Sequence, residues 1–308
     1  MDTLLPSGHV PVLLTTVLDL AAIKSGMRVI DATLGGGSYT RALVEAVGED
    51  GRVMAFDWDQ QAILRFRERA THDPVLHKAL QEERLLLVNQ PYSELSQSLT
   101  EAKWGAVDVI VADLGLSSEQ LADPKRGISF QTDGPLDMRL NTSETVTAAD
   151  IVNHWAEADL AELFRVYADE GEAGRIAEAI VLARRRQPLT RTSELANLVK
   201  DNVVAARRRG RIHPATQVFQ ALRMAVNSEV KHLTLFLQEA LRSLVPDGKL
   251  LIVTFHSGED ALVKRTFRTF EKEMLGRVLT KKPITPSDDE VHANPRARSA
   301  KLRGIVKF

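Results

Sequence analysis

Short apolar runs alternate with stretches of helical spacing along the first third of the chain. Positions 28–33 and 51–57 each join an apolar or β-branched run to an acidic residue, and Ser38 to Val47 between them has apolar residues at helical spacing. One helix and two further strands follow at 60–70, 84–89 and 107–113. Because each strand-like run is apolar enough to be buried on both faces, the pattern predicts a parallel, doubly wound α/β sheet.

A long helical stretch interrupts this alternation after residue 113. The next strand-like runs come only at Lys249–Phe255 and Leu302–Val306. Between them, Thr147 resembles the start of a capping box, and an apolar stripe follows at Ile151 and Trp155. Two helices after Pro214 are predicted to lead back to the sheet. The predicted domains are a discontinuous sheet domain at 1–116 and 214–308, and a helical insert at 117–213.

Composition excludes several classes of protein and site. The chain has 308 residues, a net charge of −1 and no cysteine, which excludes disulfides, thiolate metal sites and cysteine nucleophiles. Its eight histidines include no pair at helical zinc-ligand spacing, so we predict no metal site. The chain lacks a long apolar run and a signal-like start, which favours a cytoplasmic protein without a membrane partner.

Positive charge is concentrated in two regions. Residues 175–211 contain ten Lys or Arg against three acids, and residues 277–308 contain eight against three. Such runs are solvated helix faces in many proteins, but clusters of arginine on the insert also suit a polyphosphate partner such as RNA. The candidate RNA contacts are Arg139, Arg184, Arg185, Arg207, Arg208, Arg296 and Arg298.

A glycine-rich loop joins the first predicted strand to its helix. Gly35, Gly36 and Gly37 allow a ligand to approach the backbone closely. A dinucleotide fingerprint requires a further glycine where this chain has Thr40, which argues against an NAD-dependent oxidoreductase. Asp31 at the strand end suits the cationic part of S-adenosylmethionine. We therefore predict a class I, Rossmann-like sheet of a methyltransferase that uses S-adenosylmethionine.

Further candidates follow the next strands. Asp57 lies 22 residues after Gly35 and suits the ribose hydroxyls, Tyr92 suits the adenine ring, and Asp113 ends the fourth strand. Ligands of open α/β sheets bind at the carboxyl ends of the strands, so these side chains are expected to converge. The alternatives are a tight turn for the glycines and helix capping for the acids.

The absence of cysteine also bears on the methyl acceptor. Methylation of pyrimidine carbon 5 usually needs a cysteine thiolate, so the acceptor is expected to be nitrogen or oxygen. Asp113 is a candidate proton or hydrogen-bond acceptor for an exocyclic amine, and a purely ligand-binding acid is the alternative. His256 is a second candidate, either in proton transfer or as an ordinary hydrogen-bonded histidine.

Eight sequence motifs are distributed along almost the whole chain. They are His9–Leu14, Asp31–Gly37, Asp113–Ser118 with Gln120 and Leu121, Arg126–Phe130, Asp133–Arg139, His213–Thr216, Phe255–Ser257 and Asn294–Ser299. Together they resemble the motifs of one known family, the bacterial ribosomal RNA small-subunit methyltransferase H family, also called MraW. The segment Asp133–Arg139 is the most specific of them.

The resemblance implies N4-methylation of one cytidine in 16S rRNA, at the decoding centre of the small ribosomal subunit, with S-adenosylmethionine as cofactor. It also implies that the helical insert helps to recognise RNA. Matched residue by residue, it implies cofactor-binding roles for Gly35, Gly36, Gly37, Asp57, Tyr92, Asp113 and Gln120.

The chain departs from the family's usual pattern at Thr15, Thr16, Glu172, Gly174 and Gly258. Two alternative functions stay open: an amino-methyltransferase of DNA or transfer RNA, and a non-catalytic RNA-binding assembly factor that keeps the cofactor fold. The sequence also leaves the oligomeric state open, a homodimer included.

Overall fold

The computed structural model describes residues 11–210 and 212–308. The start of the His9–Leu14 motif and Arg211 of the arginine-rich stretch lie outside the described residues. The strands are β1 (Arg28–Asp31), β2 (Arg52–Phe56), β3 (Leu85–Val88), β4 (Val107–Asp113), β5 (Leu244–Thr254), β6 (Gly276–Val278) and β7 (Lys301–Lys307).

Helices separate most of these strands. No helix in the described ranges is long and apolar enough to cross a membrane. The helices are α1 (Leu14–Ala21), α2 (Ser38–Val47), α3 (Gln60–Ala70), α4 (Pro74–Gln81), α5 (Leu95–Glu101), α6 (Ser118–Ala122), α7 (Ala148–His154), α8 (Glu157–Ala168), α9 (Ala173–Arg184), α10 (Thr192–Asn202), α11 (Ala205–Arg208), α12 (Ala215–Val226), α13 (Glu229–Ser243), α14 (Ser257–Lys272) and α15 (Asp288–Ala293). Short 3₁₀ helices cover Tyr92–Glu94, Pro124–Arg126 and Pro295–Ser299.

The strands form a seven-stranded sheet in the order β3-β2-β1-β4-β5-β7-β6. Neighbouring strands from β3 to β5 are parallel, and β7 is antiparallel to both of its neighbours. The chain moves outward from β1 to β2 on one side and returns to β4 on the other, which makes the β1/β4 boundary a topological switch point. This architecture confirms the predicted doubly wound α/β sheet. The short strand β6 has no sequence-based prediction.

The two faces of the sheet carry separate apolar layers because successive side chains of a strand alternate between faces. Val29, Val53 and Val109 belong to one layer, which packs against α1 to α4. Their sequence neighbours Ile30 and Met54 belong to the other layer, which α5, α13 and α14 cover. Burial on both faces therefore explains why these strands read as continuous apolar runs.

The chain folds into two compact units. The first unit runs to Ser117 and resumes at Lys231, and the second unit spans Ser118–Val230. The second unit therefore extends beyond the predicted boundary at residue 213, because α12 buries Phe219 and Leu222 in the core of this unit and not against the sheet. That core also contains Phe164 of α8.

One predicted helix ends earlier than its apolar stripe suggests. The capping box is present, since Thr147 Oγ1 accepts from the backbone N–H of Asp150 and the Asp150 carboxylate accepts from the N–H of Thr147. The helix α7 stops at His154, and Trp155 takes an extended conformation with 38% of its surface exposed. The expectation that Trp155 packs on a helical stripe was wrong, because the chain turns there to begin α8.

The core of the second unit gives a direct stability test. Phe164 is fully buried on α8, whereas Val166 of the same helix is 65% exposed. We expect Phe164→Ala to lower the free energy of unfolding by about 3–5 kcal/mol, because it leaves a cavity. Val166→Ala, the matched control, should change it by less than about 0.5 kcal/mol. Urea unfolding of both variants measures the difference, and equal effects would contradict this core assignment.

Candidate active site

Three aspartates meet at the carboxyl edge of the sheet, in the first unit. Asp31 lies opposite Ala55 of β2 and Val111 of β4. Asp57 and Asp113 each lie two residues beyond those partners. Because side chains two residues apart point to the same face of a strand, Asp57 and Asp113 share the face of Asp31, on either side of the chain that continues from β1. The strand register therefore brings together the three acids that the sequence places at strand ends.

Asp31 is fully buried beneath the glycine-rich loop. Its carboxylate accepts hydrogen bonds from the backbone N–H of Thr33, at 3.1 Å, and from the hydroxyl of Thr40. Burial raises the pKa of Asp31 to about 6, although these hydrogen bonds act in the opposite direction. Asp31 thus also holds the loop and the first turn of α2 in place. The threonine that replaces the third glycine of a dinucleotide fingerprint is the residue that bonds to it.

Asp57 follows β2 and is held by backbone donors. Its two carboxylate oxygens accept from the N–H groups of Gly35, at 2.9 Å, and Asp59, at 2.8 Å. Its carbonyl oxygen accepts from the Asn89 side chain at 2.9 Å. Burial raises the pKa of Asp57 to about 7, and the nearby charge of Asp59 adds to the effect. Each carboxylate oxygen keeps a lone pair for a further donor, such as a hydroxyl group.

Asp113 ends β4 beside the same loop. Its backbone N–H donates to the Thr33 hydroxyl at 2.7 Å, which ties the ends of β1 and β4 together. Its Oδ1 is buried and has no hydrogen-bond partner within the part of the chain that the structure describes. Burial raises the pKa of Asp113 to about 8, and the negative charges of Asp31 and Glu259 raise it further. A buried acceptor without a donor is costly and indicates a missing partner.

The glycine loop reaches its shape through positive backbone angles. Gly37 has a φ of +82°, and a Cβ atom placed there would lie 2.3 Å from the ring of Phe66. Gly35 has a φ of +47°. The carbonyl of Gly36 accepts from the Arg69 guanidinium at 3.2 Å. Phe66, on α3, thus limits residue 37 to glycine. The sequence pattern predicted a helix at 60–70 but did not single out Phe66, so it did not indicate this contact.

The charge of this site fits S-adenosylmethionine. Asp31, Asp57 and Asp113 form no ion pair with any Lys or Arg among residues 11–210 and 212–308. Three carboxylates with raised pKa values and one unpartnered oxygen create a strong preference for a cation. The cofactor supplies a sulfonium and an ammonium group, and its ribose hydroxyls are donors of the kind that Asp57 can accept. The residues at these strand ends therefore fit the cofactor that the sequence predicts.

His256 and Glu259 form a pair at the end of the neighbouring strand β5. His256 caps α14, with its Nδ1 accepting from the N–H of Glu259 at 3.3 Å, and its Nε2 lies 3.1 Å from Glu259 Oε1. The other oxygen of Glu259 accepts from the N–H of Phe255 at 3.2 Å. Glu259 is buried and acts electrostatically on Asp113, and the sequence analysis did not select it. Its spacing of three residues from His256 on a helix start was the available signal. The departure Gly258 is exposed in the same turn.

Aromatic side chains lie near the ends of β2 and β3. The ring of Tyr92 packs against Phe236 with centroids 5.0 Å apart. Trp58, directly after Asp57, packs its ring edgewise on His232 at 4.8 Å, and His232 Nδ1 lies 2.7 Å from the Ser93 hydroxyl. The sequence analysis did not select Trp58 or His232. Gln120, the other predicted cofactor residue, is buried in α6 of the second unit.

Several of the arginines proposed to contact RNA are engaged within the chain. Arg207 pairs with the buried carboxylate of Glu170 and with Glu172, and Arg139 forms a two-nitrogen contact with Asp137. The guanidinium groups of Arg184 and Arg208 donate to backbone carbonyl oxygens.

The remaining candidates are more accessible. Arg185 and Arg298 are exposed and have no partner among the described residues. Arg296 is exposed in the 3₁₀ helix Pro295–Ser299. Free guanidinium groups are better placed to contact phosphate than those already paired.

The departures from the family pattern have local consequences in two places. Glu172 accepts from the backbone N–H of Val204 at 3.1 Å and pairs with Arg207, so it joins the loop before α9 to the start of α11. Gly174 leaves open space, since a Cβ there would meet nothing within 4 Å. Thr15 is exposed and Thr16 half-buried on α1, and nothing in the structure explains the choice of these two residues.

The contact between Gly37 and Phe66 can be tested with a matched glycine. Gly26 has nearly the same φ, +85°, but a Cβ there would meet nothing within 4 Å, so Gly26→Ala measures backbone strain alone. We expect Gly37→Ala to lower the free energy of unfolding by about 1–3 kcal/mol more than Gly26→Ala, since it also overpacks the ring. Urea unfolding gives both values. Gly37→Ala in a Phe66→Leu background should recover part of the difference, and an unchanged difference would count against the contact.

The raised pKa of Asp113 predicts a pH-dependent stability for the cofactor-free protein. Between pH 3.8 and about 8 the folded protein keeps a proton on Asp113 that the unfolded chain has released. Stability therefore falls as pH rises through this window. Asp113→Asn removes the group, so its stability relative to the parent should increase from pH 4 to 8 and then level off. Thermal unfolding across pH checks this, with exposed Asp50→Asn as control. A difference that is independent of pH would contradict the assignment.

Known proteins match this chain over nearly its whole length. The profile of the MraW methylase family matches residues 6–308. Proteins named ribosomal RNA small subunit methyltransferase H are 45% identical to the chain in Thermomicrobium roseum (99% of this chain and 95% of that protein) and 41% identical in Syntrophobacter fumaroxidans (97% and 96%). The protein of the same name in Symbiobacterium thermophilum is 38% identical (97% and 96%).

These matches extend over nearly the full length of each protein. They confirm the family resemblance, the class I methyltransferase fold of the sheet and S-adenosylmethionine as the cofactor. The matched region includes the glycine loop, the strand-end acids and the whole second unit. The chain belongs to the MraW methylase family.

Proposed function

We propose that this chain methylates N4 of one cytidine in 16S rRNA, at the decoding centre of the small ribosomal subunit. Membership of the MraW methylase family and the names of its relatives support a small-subunit ribosomal RNA as substrate. The motif resemblance supports the choice of cytidine N4. The absence of cysteine also favours a nitrogen acceptor, because carbon-5 methylation usually requires a thiolate.

The unpartnered oxygen of Asp113 carries the chemical part of this proposal. An exocyclic amine presents N–H donors, and Asp113 Oδ1 is a buried acceptor with no donor among the described residues. A hydrogen bond from the amine to this oxygen would fix the direction of the nitrogen lone pair. Orientation of this kind lowers the barrier by placing the nitrogen in line with the bond that breaks.

Asp113 also accounts for the proton released in the reaction. When bound, the cofactor supplies an electrophilic methyl group on a positively charged sulfur. As the new bond from N4 to the methyl carbon forms and the bond from carbon to sulfur breaks, one N4 proton must leave. Asp113 would take it on Oδ1. Without the cofactor, the pKa of Asp113 is about 8. The carboxyl group would therefore keep the proton once the positive charge of the cofactor sulfur is gone.

The other strand-end residues would bind the cofactor. Asp57 would accept from the ribose hydroxyls, and the backbone of Gly35 to Gly37 would let the amino-acid end approach closely. Asp31 would supply negative charge below it. For Tyr92 and Gln120, contacts with the cofactor remain predictions from the motif match. His256, whose Nδ1 accepts from the N–H of Glu259, would be a positioning residue at the end of β5 and not the main proton acceptor.

RNA recognition is proposed for the second unit, where Arg185 is the most accessible candidate. Arg298 is a further candidate and lies in the first unit. The paired residues Arg139 and Arg207 would act by holding loops in place. An assembled small subunit as partner and a cytoplasmic location are consistent with this reading. Both stay predictions, as does the oligomeric state.

The substrate assignment can be tested by methyl transfer from labelled S-adenosylmethionine. Small subunits from cells that lack this gene should accept label, and nucleoside analysis should identify it as N4-methylcytidine. Naked 16S rRNA, tested in parallel, shows whether assembled structure is required. Label that appears only in transfer RNA or DNA, or RNA binding without any transfer, would contradict the proposal.

The role of Asp113 can be tested in the same assay. We expect Asp113→Ala and Asp113→Asn to lower kcat by roughly 10²–10⁴, the usual contribution of a general base, with a smaller change in cofactor affinity. Asn keeps the shape and an acceptor oxygen but takes no proton. Asp108→Asn is the matched control, since Asp108 is near the opposite end of β4 and accepts from the N–H of Arg28 at 2.8 Å. Equal losses of turnover and cofactor affinity in Asp113→Asn would make Asp113 a cofactor ligand only.

A further inference from the structure

A second, positively charged cavity lies in the first unit, away from the strand-end acids. It has a volume of about 220 Å³ and opens between α14 and the strands β6 and β7. Water occupies roughly 30 Å³ per molecule in the liquid, so the cavity has room for a larger polar group. Its lining includes Lys264 and Arg268 of α14 and Lys281, which follows β6.

These three cations have no counter-ion among the described residues. None of them forms a hydrogen bond or ion pair among the residues that the structure describes. Lys264 is half-buried, and Arg268 and Lys281 are exposed. One acid, Glu271, also lines the cavity, and one of its oxygens accepts from the N–H of Val278 at 2.9 Å. The lining therefore keeps an excess of positive charge.

The wall of the cavity combines the apolar side chains Phe267 and Val278 with two buried polar residues. Arg303 is 5% exposed, and its guanidinium is neutralised by both oxygens of Asp260. Thr280 is also buried, and its hydroxyl oxygen accepts from the N–H of Gly304 at 3.0 Å. The hydroxyl proton has no recorded acceptor in the described ranges, so it can be donated to a ligand. The cavity thus offers a neutral hydroxyl donor at its wall and three cations around it.

This combination suits a phosphate group. Cations that face one cavity repel each other, and an anion between them removes that cost. Phosphate oxygens accept hydrogen bonds from lysine, arginine and hydroxyl donors together. A carboxylate would satisfy fewer of these donors. Lys264 lies seven residues after Ser257, about 10 Å along α14 from the strand-end site. A nucleic-acid strand with its target base at the strand ends can reach that far with a neighbouring phosphate.

We propose that this cavity binds a phosphate group, and that the group is a backbone phosphate of the RNA substrate. The RNA source rests on the proposed function, whereas the phosphate chemistry does not. Motif matching and charge counting did not single out Lys264 or Arg268, because the structure alone brings them together with Lys281. The cavity would add a fixed phosphate contact on the catalytic unit to the recognition proposed for the second unit.

The test compares two triple variants with equal loss of charge. Lys264→Ala/Arg268→Ala/Lys281→Ala empties the cavity of its free cations. Arg265→Ala/Lys272→Ala/Lys282→Ala removes exposed neighbours on the same helix and loop that do not line it. Binding of a labelled short single-stranded RNA is measured against salt concentration. Each phosphate contact contributes about −0.7 to the slope of log affinity on log salt.

We expect the cavity variant to reduce the magnitude of this slope by about 0.7, the contribution of one phosphate, and the control variant to change it much less. Melting temperature and S-adenosylmethionine affinity should match the parent in both, which shows that the fold is intact. Equal losses in the two variants, or no loss in either, would overturn the proposal. The salt slope needs no methyl transfer, so a failure of the proposed function would not be confused with a failure of this site.

Inorganic pyrophosphate serves as the probe for a small phosphate ligand, with binding measured by calorimetry. If pyrophosphate binds the parent and not the cavity variant, while RNA binding is the same in both, the phosphate chemistry holds and the RNA source is wrong. If neither RNA nor pyrophosphate binding depends on the three cations, the cavity is not a phosphate site.

Discussion

The placement of three carboxylates at one edge of the sheet, with Asp31 fully buried and Asp57 and Asp113 half-buried, is the constraint on which the rest of this structure depends. Asp31, Asp57 and Asp113 end up side by side because the strand register leaves them no other position. Asp31 and Asp57 accept hydrogen bonds from backbone N–H groups and a hydroxyl, whereas Asp113 Oδ1 has no donor among the described residues. No cation among those residues pairs with any of the three carboxylates. Burial then raises all three pKa values, to about 6, 7 and 8. Ionising the whole cluster near neutral pH therefore requires positive charge from outside the chain, which a sulfonium cofactor supplies.

The surrounding elements preserve this arrangement. The apolar layers on both faces of the sheet fix the strand register, and the positive φ of Gly37, packed under Phe66, fixes the loop over Asp31. The proposed chemistry uses side chains of the first unit, and the second unit has its own core around Phe164. Within the first unit, positive charge lies apart from the acidic site, in the cavity beside α14. Such separation allows one chain to bind a cationic cofactor and, as proposed, an anionic polymer.

Much of the sheet and of the acidic site follows from sequence pattern alone, because both depend on local order. A continuous apolar run followed by an acid at residue 31, 57 or 113 specifies a buried parallel strand and the position of its last polar residue. The features that escaped prediction depend on long-range packing. Glu259 became relevant only through its distance to Asp113, and Arg207 was a candidate RNA contact until its pairing with Glu170 was visible. The helix α12 has the same periodicity whichever core it joins, so its place in the second unit could not be derived from its sequence.

Proton release on cofactor binding tests the central claim most directly. Calorimetric titration of S-adenosylmethionine at pH 7, repeated in buffers of different ionisation enthalpy, gives the number of protons that leave the protein. If the strand-end carboxylates are protonated in the empty site and ionise against the sulfonium, binding must release protons. S-adenosylhomocysteine, whose sulfur is neutral, should release fewer. Equal release with both compounds, or none with either, would contradict the account of a carboxylate cluster built around a cationic cofactor.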